Sequence, residues 1–201
     1  IIHSNQVDIN TFLLRDYSRG KGVFTLHGEK DKNGQDYINT YSSWTFNLPD
    51  INALDAHWGV EMTYDFYQIK FKRNSIDNKG LRLISLINKA GIKNNANWDG
   101  KFMNYGTFSD GSQKGVTSID VTGHELTHGV TQYTCSLNTE GESGAINESI
   151  SDIMGKSVQF SAKPYDTSWI IGNDMGIALR DMSNTDWKST RLNSSHEDLS
   201  R

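Results

Sequence analysis

The stretch "SIDVTGHELTHGVTQYT" (118–134) sets His124 and His128 four residues apart, with Glu125 beside the first. Residues four apart on an α-helix lie one turn apart on the same face, so two imidazoles can aim at one metal ion. Glu125 is rotated by about 100° from His124. It would flank such an ion without ligating it, where a carboxylate can serve as general base on an activated water. Ser118 suits the N-cap of this helix. Catalytic zinc uses three protein ligands and keeps one position open, so a third donor is needed from elsewhere in the chain.

The next helical segment supplies a candidate. "ESGAINESISDIMG" (142–155) places Glu148 twenty residues after His128 and Asp152 one turn further along the same face. A carboxylate that accepts the second N–H of a ligand imidazole fixes its tautomer and orientation. The helix is expected to start near Ser143. Ile146, Ile150, Ile153, Met154 and Val158 recur at helical spacing and predict a stripe facing a core.

Upstream, "GKGVFTLHGEKDKNGQDYINTYSS" (20–43) alternates β-prone runs with Gly and Asn-Gly punctuation, so residues up to about Leu48 read as short strands and turns. "ALDAHWGVEMTYDFYQIKFK" (53–72) reads as a helix bearing Trp58, Met62, Tyr64, Phe66 and Ile69. His57 within it reads as a satisfied helix histidine. "RLISLIN" (82–88) and "KFMNYGTF" (101–108) read as strands on either side of "NNANWDG" (94–100). The fold class is α+β, with β-rich sequence first and helices later.

Composition narrows the function classes. The chain has 201 residues, 35% hydrophobic, with a net charge of -4, enough to bury a substantial core. Lys and Arg form no basic stripe, so nucleic acid is not expected as a partner. No apolar run approaches the roughly 18 residues of a membrane span, and no membrane partner is expected. The single cysteine, Cys135, excludes an internal disulfide and is expected to be a small buried residue at a helix end.

With these segments together, the chain resembles the thermolysin-like zinc metallopeptidases. "HELTHGVTQYT" and "GESGAINESISDIMG" carry the resemblance. "DAHWGVEMTYDFY" is similar to a helix of that family's N-terminal lobe, "NNANWDG" to its substrate-binding edge strand, and "RGKGVFTL" to an early strand. The likeness spans roughly residues 7 to 184. It implies one catalytic Zn2+ held by His124, His128 and Glu148, with Glu125 as general base. It further implies that Asp152 orients a ligand histidine and that Asn147 supports the ligands. Asn95 and Ala96 would hydrogen-bond the substrate backbone, and Val121 is similar to a residue lining a specificity pocket. A peptide or protein substrate, a monomeric full-length state and a secreted location are also implied.

The resemblance divides the chain into three parts. Residues 1–135 form the N-terminal peptidase lobe, which ends in the motif helix. Residues 136–184 begin a mainly helical C-terminal lobe carrying the third zinc ligand. Residues 185–201, "TDWKSTRLNSSHEDLSR", match nothing in the family pattern and are expected to be foreign to it, so His196 is not taken as catalytic. The start at Ile1 falls inside the family's first sheet, and the sequence is therefore expected to be an internal fragment.

Two further departures bear on function. Thr139 stands where the family usually has a tyrosine that holds the oxyanion, a donor whose loss typically lowers the rate by about 10²–10³. Of the family's calcium-binding groups Asp120 is kept. The other equivalents are Gln159, Ile170 and Asn173, so Ca2+ binding is expected to be absent or weak. The function expected is zinc-dependent endopeptidase. The competing expectation is a chain that binds zinc but lacks the groups that stabilise the transition state.

Overall fold

A computed structural model describes residues 2–44 and 50–184. The segment 185–201 and the expected end of the first β region near Leu48 lie outside the described residues. The chain opens with β1 (Asn5–Asp8), β2 (Thr11–Leu13), β3 (Arg15–Asp16), β4 (Val23–His27), β5 (Gln35–Asp36) and β6 (Ile38–Asn39). Helix α1 (Asp50–Phe71) follows, then β7 (Leu83–Ile87), β8 (Ala96–Trp98) and β9 (Met103–Tyr105). Two long helices, α2 (Ile119–Gln132) and α3 (Gly141–Ala162), lead to the small pair β10 (Ile170–Ile171) and β11 (Arg180–Asp181). This is the α+β order expected from the sequence.

The main sheet runs β3-β4-β7-β9-β8, with β5 added to β4. Strands β4, β7 and β9 are parallel, and β8 is antiparallel to β9 with Ala96 opposite Tyr105. Among the described residues β8 pairs with β9 alone, so it is an edge strand. Its other edge pairs with no strand among the described residues.

Helix α2 is buried almost all round, including Ile119, Asp120, Val121, Thr122, Leu126 and Thr127. Such a helix reads as a core element with elements packed on several sides. Hydroxyl contacts tie it to two neighbours. Tyr67 of α1 meets Thr127 at 2.8 Å, and Tyr105 of β9 meets Thr122 at 3.0 Å. The main core gathers Leu14, Val23, Leu54, Val60, Ile87, Met103 and Leu126, with Val121 among them. In α1, Tyr64 and Phe66 are buried, whereas Ile69 is exposed. His57 is fully buried between Thr25 and the His3 carbonyl, with Glu61 3.6 Å away at i+4. Cys135 is exposed, against expectation, because the chain has already left α2 at its C-cap Tyr133.

Helix α3 inverts its expected stripe. It begins two residues before Ser143, at Gly141. Val158 is buried, but Ile146, Ile150 and Ile153 are exposed, and the side turned inward carries Asn147, Glu148, Ser151, Asp152 and Gly155. The side of this helix packed on α2 is therefore polar rather than apolar.

That packing depends on two glycines. A Cβ on Gly155 would lie 2.4 Å from the Asp120 carbonyl oxygen and 3.0 Å from the His124 nitrogen, and one on Gly123 would lie 3.1 Å from Gly155 Cα. Side chains here would push α3 away from α2. Gly155→Ala is expected to destabilise the chain by about 1–3 kcal/mol or more, lowering Tm by roughly 2–12 °C. An unchanged melting curve would refute this account of the helix contact.

A buried ionic cluster ties α1 to the turn after β3. The Arg19 guanidinium donates to Asp65 at 2.8 and 2.7 Å, to Asp16 at 2.7 Å and to Glu61 at 3.3 Å. Burial raises the Glu61 carboxyl to about 7 despite the opposing charge of Arg19, and burial lowers His57 to about 4. From about pH 4.5 to 7 the folded chain keeps a Glu61 proton that the unfolded chain releases, so this group's contribution to stability falls as pH rises. His57 acts oppositely: between 6.5 and about 4 the unfolded chain takes up a proton that the folded chain refuses. Glu61→Gln removes the first effect and leaves the second. Its stability relative to wild type should rise by on the order of 2 kcal/mol between pH 4.5 and pH 8 in urea unfolding, and a constant difference would exclude the assignment.

Candidate metal centre

His124 and His128 project from one face of α2, and α3 brings Glu148 to them. The two Nε2 atoms are 3.0 Å apart, and the Glu148 carboxylate oxygens lie 3.4 Å from His124 Nε2 and 3.3 Å from His128 Nε2. The edges of a tetrahedron with zinc-ligand bonds of 2.0–2.1 Å are about 3.3 Å long. The three donors are therefore already spaced as ligands of a single small ion.

The far side of each imidazole is held. His124 Nδ1 pairs with Asp152 at 2.7 Å, and His128 Nδ1 pairs with the Asn147 side-chain oxygen at 3.0 Å, with Ser151 Oγ at 3.3 Å. With Nδ1–H donated to these acceptors, both Nε2 lone pairs turn toward the same point. Two lone pairs that close repel unless a proton or a cation lies between them. Burial opposes a charge on His124, but Asp152 and Glu148 outweigh it and push the imidazole up to about 9. Burial likewise opposes charge on Glu148, yet the hydrogen bonds to His124 and His128 hold its carboxyl well below the usual range. The site is thus built around a positive charge. Two imidazoles and a carboxylate, oriented from behind, fit a divalent ion of zinc type.

Glu125 stands beside this point. Its carboxylate accepts the Trp98 backbone N–H at 3.2 Å, and its nearer oxygen is 3.9 Å from His124 Nε2. The same hydrogen bond orients β8. With the Trp98 N–H turned toward Glu125, the Ala96 N–H two residues earlier turns to the same side, where the Asn95 side-chain oxygen accepts it at 3.0 Å. Asn95 and Ala96 therefore lie at the edge of the sheet away from β9, with Ala96 itself buried. Trp98 of the same strand lines a cavity of about 330 Å3 together with Gly100, His128, Gln132, Thr139 and Asn147. A larger one of about 450 Å3, lined by Asp55, Trp58 and Lys163 among others, touches none of the candidate ligands.

The structure thus brings together His124, Glu125, His128, Asn147, Glu148 and Asp152, while Asn95 and Ala96 lie on the strand whose Trp98 N–H meets Glu125. Val121 is buried and belongs to the main core cluster. Asp120 lies one turn before His124, fully buried. One participant escaped the sequence reading. Arg180 of β11 grips Asp152 through two hydrogen bonds, 2.7 Å from Nε and 2.5 Å from Nη2. It balances the carboxylate that holds His124. An arginine 28 residues from its partner, in a two-residue strand, carries no local signal of that role.

Comparison with known proteins places these features. The family model described as thermolysin metallopeptidase, catalytic domain, matches residues 2–132, and the one for the alpha-helical domain of the same peptidases matches 135–200. The second range runs on through the stretch that lies outside the described residues. Bacillolysin of Bacillus cereus is 39% identical over 188 residues, covering 87% of this chain and 32% of its own length. Neutral protease NprE of Bacillus pumilus is 37% identical over 183 residues, covering 86% and 58%. The solved precursor of protealysin, a metalloproteinase from Serratia proteamaculans, superposes with a TM-score of 0.66 at 32% identity over 81% of this chain and 52% of that one. The chain spans about a third of the length of the Bacillus cereus relative.

Proposed function

This chain belongs to the thermolysin metallopeptidase family, and on that premise we propose that it is a zinc-dependent endopeptidase acting on peptides or proteins outside the cell. The observation that carries the reading is the meeting of His124, His128 and Glu148 donor atoms within 4.8 Å of one another. His124, His128 and Glu148 hold the ion in this reading, which supplies Lewis acidity to the scissile carbonyl and to water.

The chain's own groups do the rest. A substrate backbone laid along β8 as an added strand is aligned by Asn95 and Ala96, so that its carbonyl reaches the centre. The Glu125 carboxylate takes a proton from the attacking water as the new C–O bond forms. It passes that proton to the departing amine nitrogen as the C–N bond breaks. Asp152 and Asn147 keep both imidazoles in one tautomer throughout, with Arg180 holding Asp152 in place.

A second reading, zinc binding without turnover, is favoured by Thr139. It lines the cleft beside His128 but has a side chain much shorter than tyrosine. One experiment separates the two: the purified chain is stripped with chelator, reloaded with zinc, and assayed on a quenched peptide library. Endopeptidase function requires about one zinc per chain and cleavage that disappears and returns with the metal. Stoichiometric zinc without cleavage selects the second reading. Cleavage that survives complete metal removal overturns both.

A further inference from the structure

Thirty-two residues after His124, α3 buries a lysine completely. Lys156 has no solvent exposure, and its Nζ donates to Gln159 Oε1 at 2.5 Å, to the Ile170 carbonyl at 3.1 Å and to Asp120 Oδ2 at 3.4 Å. The Phe160 ring centre lies 5.4 Å away. These three oxygens come from α3 itself, from β10 and from the first turn of α2. A buried lysine of this kind is rare unless it is paired.

The cage is closed around that one charge. Asp120 is saturated on its other sides, accepting Ser118 Oγ at 2.5 Å, the Val121 N–H at 2.9 Å and the Gly172 N–H at 2.9 Å. Gln159 is locked in orientation because its amide nitrogen donates to Asp166 at 2.6 Å, which turns its oxygen to the lysine. A calcium ion takes 6–8 oxygens, several of them charged, at 2.3–2.6 Å. Here one carboxylate, one amide and one carbonyl face an ammonium, with an aromatic ring beside it. The residues present do not fit the calcium that the family resemblance implies for Asp120.

We propose that the Lys156 ammonium is the resident cation of the junction between α2, α3 and β10, so that the helix pair carrying the metal centre is held together there without calcium. The locus takes a side chain where a divalent ion would otherwise neutralise Asp120. One consequence is that chelators which strip the metal centre leave this junction intact. The proposal stands independently of peptidase activity.

The test is thermal unfolding of the full chain in EGTA and in millimolar calcium chloride, for wild type, Lys156→Met and Asp120→Asn. Wild type should melt within about 1 °C in the two buffers, and Lys156→Met should melt roughly 6–20 °C lower, because it strands a buried carboxylate. A calcium shift of equal size in wild type and Asp120→Asn places that ion elsewhere and also supports the proposal. A calcium shift in wild type that Asp120→Asn abolishes overturns it, as does Lys156→Met melting with wild type. If Lys156→Met fails to fold, the wild-type and Asp120→Asn comparison still decides.

Discussion

Glu125→Gln should keep its fold and its zinc and lose peptide hydrolysis by about 10²–10⁴-fold. Glutamine is isosteric, and its side-chain oxygen can still accept the Trp98 N–H that Glu125 now accepts at 3.2 Å. The site is buried, with Glu125 only 4% exposed, so no bulk water replaces the missing base. Glu125 is not one of the clustered donors, and its nearer oxygen stands 3.9 Å from His124 Nε2. Metal content and melting temperature should therefore match wild type while kcat collapses. Near-normal turnover in a fully loaded Glu125→Gln protein would remove Glu125 from the mechanism.

The opposite pattern is expected at Glu148. Glu148→Gln should weaken zinc affinity by more than roughly 100-fold, beyond what losing a supporting partner does, and activity should follow the metal. It should also destabilise the metal-free protein. The carboxylate lies between two imidazoles at 3.4 and 3.3 Å, in surroundings that push His124 up to about 9. Neutralising it leaves buried positive charge partly uncompensated, a loss of about 3–5 kcal/mol where a buried pair is broken. Zinc stoichiometry after dialysis and melting in chelator measure the two effects separately. Retained stoichiometric zinc would show that Glu148 is not a ligand. The pair of variants thus divides the site: one loses chemistry and keeps metal, the other loses metal first.

Part of this site was legible without coordinates because it is local. Three side chains on one helix turn have a relative geometry set by the α-helix alone, so the placement of His124, Glu125 and His128 follows from spacing. The i+4 relation of Glu148 and Asp152 was legible for the same reason. Where local patterns were the guide and the surroundings decided otherwise, the reading failed. The isoleucines of α3 follow a helical period, but the face packed on α2 holds Asn147, Glu148, Ser151, Asp152 and Gly155, so Ile146, Ile150 and Ile153 point outward.

What the sequence determined by itself is the helix that presents two imidazoles and a carboxylate, the α+β order of the elements, and the membership that those motifs signal. What only the tertiary structure decided is how distant groups reach that helix. Glu148 reaches the imidazoles because Gly123 and Gly155 let two helix backbones approach. Arg180 reaches Asp152 because β11 passes beside α3, and Lys156 meets Asp120 because three elements converge on one buried point. The physical reason is common to all three. Such contacts join residues far apart in the chain, and no periodicity or propensity encodes them until close packing brings them together.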